Sequence, residues 1–236
     1  AGLNAGEYLT FPPQGFSLRW VKAFLTSPVF MPAYAYSLAL AVAASLISTI
    51  VGTAASVYLV RSTDIFCGAL RALLMLPIVM PAVVVGLALL IFYTWTGLGL
   101  ARSLPGLLLG HVLVTMPFVV AVVTASLTGF DRSLEDAARS LGATPWQAFR
   151  KVTLRIIRPG ITAGALFAAL ISFGQFELSL MLAVPGYETL PLALFTALKY
   201  EFEPTAAAAG IFAIALVVVS TLVASRLVNL RRLFRS

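Results

Sequence analysis

The sequence predicts an all-α, polytopic membrane protein: a helical bundle carrying one folded, charged loop. Three observations lead there. The 236-residue chain is 60% hydrophobic and only 11% charged, whereas soluble domains carry about 25% charged residues. Its mean hydropathy is +0.99. Its charges gather at the ends of long apolar runs, which fixes orientation in a bilayer. The net charge of +7 therefore does not mark a nucleic-acid partner: no basic stripe is interleaved with aromatics, and no base- or phosphate-reading motif is present. Cys67 alone excludes a disulfide within the chain, and with His111 as the sole histidine no metal site is expected.

A bilayer core takes about 20 apolar residues in helix. Runs free of Asp, Glu, Lys and Arg place spans at 34–60, 72–94, 105–128, 160–183 and 206–228, after an outer segment, 1–33. Five spans put the two termini on opposite sides. With the C-terminus inside, the inner segments hold twelve Lys and Arg, including Arg61, Arg71, Arg226 and Arg231. The outer ones hold four, Arg19, Lys22, Arg102 and Lys199. That imbalance makes the C-terminus cytoplasmic. A polar outer segment needs a helix to carry it across, so a sixth span is expected ahead of Ala1.

Pro77 and Pro81 flank the start of the second span, and Pro117 sits in the third. Prolines free backbone carbonyls that protein or water must satisfy; ordinary kinks and a moving pathway both fit. Glu177 interrupts the fourth span, and an ionisable group there is costly and commonly functional. It faces either the pathway or the outer interface and a partner subunit. His111 is expected as a packed, hydrogen-bonded core histidine. Glu188, Glu201 and Glu203 make the outer loop acidic and solvated.

Between the third and fourth spans, residues 129–159 hold six of the sixteen basic residues (Arg132, Arg139, Arg150, Lys151, Arg155, Arg158) and three acids (Asp131, Glu135, Asp136). Ser133 and Asp136 have capping-box spacing, predicting a helix over 133–141. Gly142 is placed as its left-handed cap. Thr144 and Pro145 restart a second short helix as N-cap and first helical residue, with Phe149, Val152 and Ile156 on one face. Ala137, Ala138 and Gly142 leave little side-chain volume, so another surface can approach closely. An interfacial hairpin on anionic lipid and a protein-docking site are both compatible with these residues.

The loop resembles the EAA loop of permease subunits of binding-protein-dependent ATP-binding-cassette importers. That pattern is Glu-Ala-Ala, three residues, Gly, nine residues, Ile, one residue, Leu-Pro. Here Asp136-Ala137-Ala138, Gly142, Val152, Leu154 and Arg155 stand in the same register. Asp for Glu and Val for Ile are mild departures, while Arg155 for Pro puts the far end of the second helix in question. The segments His111–Val120, Gly186–Leu192 and Phe16–Trp20 are similar to the polyamine (spermidine/putrescine) branch, so the resemblance covers nearly the whole chain.

It implies a type I importer permease (MetI-like) fold and a single transmembrane domain in a bacterial inner membrane. The ATPase-docking residues it implies are Glu135, Asp136, Ala137, Ala138, Leu141, Gly142, Ala143 and Trp146. Gln175, Glu177, Pro77 and Pro81 are the pathway candidates; relatives carry an acidic pair near Gly174-Gln175, where this chain has its acid at Glu177. The implied partners are two ATPase subunits, a second, related permease, an extracytoplasmic solute-binding protein and membrane lipid. ATP and magnesium belong to the ATPase. In agreement, Lys22, Lys151 and Lys199 each lack the Gly and Ser/Thr neighbours of a phosphate-cradling loop, so no catalytic residue and no cofactor are expected in this chain.

Two other classes compete. An ion-coupled secondary transporter calls for intramembrane charge relays and inverted repeats, and a membrane enzyme for clustered His, Asp, Glu or Cys at the membrane face. The chain offers one intramembrane acid, no convincing repeat and no such cluster.

Overall fold

The computed structural model describes residues 15–200 and 204–227. The regular elements among them are all helices. Helix α1 (Arg19–Thr26) lies before α2 (Phe30–Arg61), which contains the first expected span. The third span, 105–128, is α5 (Leu104–Thr128), whose N-cap Ser103 hydroxyl accepts the Gly106 N–H at 3.2 Å. The fifth falls on α11 (Pro204–Leu227), apolar over Thr205–Ser220. Residues 1–14 of the expected outer segment, Glu201, Glu203 and residues from 228 onward lie outside the described residues.

Two expected spans are not single helices. Across 72–94, α3 (Cys67–Val79) and α4 (Ala82–Thr96) meet at 112°. Pro81 has no N–H to return to the Pro77 carbonyl, and its ring drives Met80 to extended backbone (φ −87°, ψ 140°). Hydropathy runs straight through this corner and does not register it.

The expected span 160–183 needs correction at both ends. A continuous helical stretch begins at Pro145 and runs to Phe173, comprising α7 (Pro145–Ala148), a π turn (Phe149–Thr153) and α8 (Leu154–Phe173). The loop's second helix is therefore not a separate short piece; it merges with the span and passes through Pro159. At the other end α8 stops at Gly174, Gln175 turns extended, and α9 (Phe176–Met181) starts afresh. Helix α10 (Leu190–Tyr200) follows a turn closed by a bridge between Val184 and Tyr187.

Helices α2, α5 and α8 form the centre. Lipid tails are as apolar as leucine, so close backbone approach and interhelical hydrogen bonds must hold such helices together. Val119 of α5 supplies the first, wedged between Gly52 of α2 and Gly164 of α8. A Cβ on Gly52 would lie 3.0 Å from Val119 Cγ1, and one on Gly164 would lie 3.2 Å from Val119 Cα. The second comes from Ser48 Oγ, 2.7 Å from Thr115 Oγ1, and from Ser56 Oγ, which donates to the Val120 carbonyl at 3.3 Å. At one end of the bundle, Phe24 of α1 stacks on Phe212 of α11 with ring centroids 4.5 Å apart. There it packs with Phe30, Tyr34 and Phe173.

His111 joins the broken span together. Its Nδ1 lies 2.8 Å from Ser172 Oγ at the end of α8, and its Nε2 3.2 Å from Ser179 Oγ in α9. The imidazole is fully buried, with a partner on each ring nitrogen. This is the packed core histidine expected from the sequence.

Candidate functional site

The charged loop folds as a helical hairpin, and its turn follows from local chemistry. Helix α6 (Ser133–Ser140) ends in a Schellman cap: Gly142 N–H donates to the Arg139 carbonyl at 3.0 Å and Ala143 N–H to the Ala138 carbonyl at 3.1 Å. The motif needs a left-handed residue, and Gly142 supplies φ +89°. Thr144 then caps α7 in a full box, accepting from Gln147 N–H at 3.3 Å while Gln147 Oε1 accepts from Thr144 N–H at 3.0 Å. The capping box expected at Ser133–Asp136 does not form. Asp131 stands two residues earlier and takes the Ser133 N–H at 2.9 Å, so Ser133 is the first helical residue. Hydrogen bonds from the Ser133 hydroxyl and N–H hold the Asp131 carboxyl below its ordinary pKa.

The eight expected docking residues divide between two faces. Asp136, Ala137, Gly142, Leu141 and Trp146 are exposed, Leu141 at 90% and Trp146 at 64%. Helical spacing sets Leu134, Ala137 and Leu141 along one side of α6. They make an apolar surface flanked by Asp136, of the kind that marks an interaction site, while Trp146 of α7 stands over a groove lined by Ile50, Ala54, Val57 and Leu154. Gly142 has nothing within 4 Å of an added Cβ, so the turn itself is open to a partner. Ala138 and Ala143 are half-buried beneath this surface.

Glu135 points the other way. Its side chain is 14% exposed and its Oε1 accepts from Arg61 Nη2 at 2.6 Å and from the Thr153 hydroxyl. Arg61 Nη2 also reaches Thr153 Oγ1 at 3.4 Å, and its guanidinium lies over the Phe149 ring at 5.1 Å. Arg132 adds a hydrogen bond to the Val60 carbonyl at 2.9 Å. Burial pulls the Glu135 carboxyl upward, but the Thr153 and Arg61 hydrogen bonds and the Arg61 and Arg132 charges outweigh it. The carboxyl titrates below the ordinary glutamate range. Sequence reasoning missed Arg61, Arg132, Phe149 and Thr153. The available signal was a lone arginine at the end of one span, opposite an acidic helix just past the end of another.

The pathway candidates are distributed over the two broken spans. Pro77 is half-buried in an apolar groove of about 480 Å³ shared with Leu73, Met80, Val85, Leu113 and Met116, while Pro81 is the exposed N-cap of α4. Both shape backbone and contribute no polar group. Gln175 stands at the N-cap position of α9 with its Nε2 buried and unpartnered among the described residues, and Glu177 is exposed one residue into that helix. The helices following the two breaks pack on each other, Gly86 of α4 lying against Met181 and Leu178. A second pocket, about 520 Å³, is lined by Tyr36, Tyr187 and Glu188; the two rings stand 5.5 Å apart. Among the described residues no group of three His, Cys, Asp or Glu is arranged to hold a metal.

These features match known proteins. The family model described as "Binding-protein-dependent transport system inner membrane component" matches residues 48–233. The putrescine transport system permease protein PotI of Escherichia coli (strain K12) is 34% identical over 196 residues, 80% of this chain and 69% of that protein. The spermidine/putrescine transport system permease protein PotC of the same strain is 28% identical over 191 residues, 81% and 72% of the respective chains. In fold, the inward-facing MetNI methionine ABC transporter superposes with a TM-score of 0.69 at 20% identity, covering 85% of this chain and 95% of that one. The chain thus belongs to the inner membrane components of binding-protein-dependent transport systems, and it is a permease subunit of an ATP-binding-cassette importer rather than a secondary transporter.

Proposed function

We propose that the chain is one of two permeases in a polyamine importer, with α6 and the turn at Gly142 seated in a cleft of a separate ATPase. The observation that carries this is the outward apolar face of α6 and its C-cap, Leu134, Ala137 and Leu141, on a helix whose opposite face is tied to α2. A lipid-lying hairpin would need its basic residues arrayed about that apolar face. Here the acidic Asp136 flanks it, and Arg132, at the threshold of α6, is spent on an internal partner. Two ATPase subunits bind ATP and magnesium and close on the hairpins. Their closure shifts the permease pair between inward- and outward-open states. An outer binding protein delivers the solute. Twelve inner against four outer basic residues support a cytoplasmic C-terminus in a bacterial inner membrane.

A polyamine fits the acids on the outer half of the chain. Glu177 stands in the broken span and Glu188 beside two tyrosine rings, an acid-and-aromatic combination suited to alkylammonium groups. The likeness to PotI and PotC points the same way.

The test is uptake of radiolabelled putrescine and spermidine by cells lacking their own polyamine importers, with the ATPase, binding protein and second permease supplied or withheld. Uptake strictly dependent on the ATPase is expected. Uptake that follows an ion gradient without it would overturn the proposal, as would failure to take up either polyamine by an assembled complex. Within that assay Glu177→Gln should raise the KM for polyamine about tenfold, the worth of one charged contact. An unchanged KM would remove Glu177 from the pathway.

A further inference from the structure

We propose that Arg61 is the positioning residue that makes the docking hairpin and helix α2 move as one piece. This inference rests on the hairpin being the ATPase-docking element. Without the Arg61 contacts, α6 would keep its chain connections, the Thr153–Glu135 bond to the π turn, and one hydrogen bond to α2, from Arg132 at its threshold. A push on the exposed face of α6 would then tilt that helix about its two turns. Motion would be lost before it reached the spans.

The contacts made by Arg61 close that gap. The residue ends α2, and its guanidinium meets α6 through Glu135, the buried Thr153 at the end of the π turn, and Phe149 at its start. Arg132, at the threshold of α6, ties back to the carbonyl of Val60. Beneath these groups Val57, Val60, Phe130, Leu154 and Ile161 pack on Val123, Leu127 and Ile157. Half-buried charge-assisted hydrogen bonds hold direction as well as distance. The π turn is the place in the helix where the hydroxyl of Thr153 reaches Glu135, and such turns recur at functional positions. Force on α6 therefore passes sideways into α2 through Arg61 and lengthwise into α8 through Thr153. Arginine suits the role because its planar fork serves a carboxylate and a hydroxyl while its face lies on a ring; lysine offers a single point charge.

The experiment uses the complete importer in liposomes, measuring solute imported per ATP hydrolysed. Arg61→Met is expected to keep the ATPase bound and hydrolysing at close to the wild-type rate while the transport ratio falls about tenfold, and Glu135→Gln to lower the ratio likewise. Arg61→Lys should fall less, and the exchange Arg61→Glu with Glu135→Arg should recover part of the ratio. A normal ratio in both single variants would overturn the proposal, and so would an exchange no better than the singles. Should either single variant fail to assemble, Thr153→Val, which removes only the hydroxyl, decides: an unchanged ratio there overturns the clamp. Ala137→Trp on the outward face separates the two levels of argument. If that variant still retains the ATPase, the docking proposal fails; if it loses the ATPase while Arg61→Met transports at full ratio, the clamp alone fails.

Discussion

Gly142→Asp is expected to abolish transport and release the ATPase while leaving the chain inserted and folded. Nothing lies within 4 Å of an added Cβ at this position, so the new side chain meets no part of its own protein. The cost inside the chain is conformational. A φ of +89° burdens any L-residue, by about 1 kcal/mol, and aspartate is among the residues that bear it best. That is too little to unfold a bundle. The damage comes instead from a charged carboxylate projecting from the turn between Leu141 and Trp146, where a partner must approach the backbone. Gly142→Ala makes the argument quantitative, because alanine bears the same φ with almost no projection. ATPase co-purification should be lost with aspartate and largely retained with alanine. Equal loss in both would mean that the Schellman cap, rather than surface access, governs the site.

Gly164→Leu should disrupt the centre of the bundle strongly. A Cβ there already sits 3.2 Å from the Cα of Val119, and a backbone atom cannot swing aside as a side chain can. Leucine would push α8 away from α5 and take Val119 out of the slot it shares with Gly52. Over-packing costs roughly 1–3 kcal/mol and at times more. Here it also loosens neighbouring contacts, since the Ser48–Thr115 and Ser56–Val120 hydrogen bonds hold the same face of α5. The expected result is a sharp fall in folded yield and in the thermal midpoint in detergent. Gly164→Ala, needing a shift of only a few tenths of an ångström, should lower the midpoint slightly. A leucine variant with wild-type stability would show that the three central helices are not packed through Val119.

What the sequence reveals of this fold and site follows from the range of the interactions involved. The turn at Gly142 and the cap at Thr144 are decided within four residues, and both are legible. The Ser133 box has the same spacing and fails, because Asp131 captured the donor that would have marked the helix start. Long apolar helices such as α2 and α5 are legible from hydropathy. The corner at Met80–Pro81 and the break at Gly174–Gln175 are not, because a broken apolar stretch has the same composition as a straight one. The break shows itself only when His111, more than sixty residues away, is found bonded to both of its sides. Likewise Glu135 looks like its exposed neighbours until Arg61, 74 residues earlier, is seen to hold it.

The π turn at Phe149–Thr153 carries a consequence for phase. Each residue of an α-helix turns the chain by about 100°, and a π turn takes up one residue more than an α turn in a single revolution. The extra residue is absorbed locally, so the faces before and after it keep the phase of a helix one residue shorter. Shortening the chain by one within 149–153 would therefore leave the hairpin aimed as it is, yet close the widened turn in which Thr153 meets Glu135.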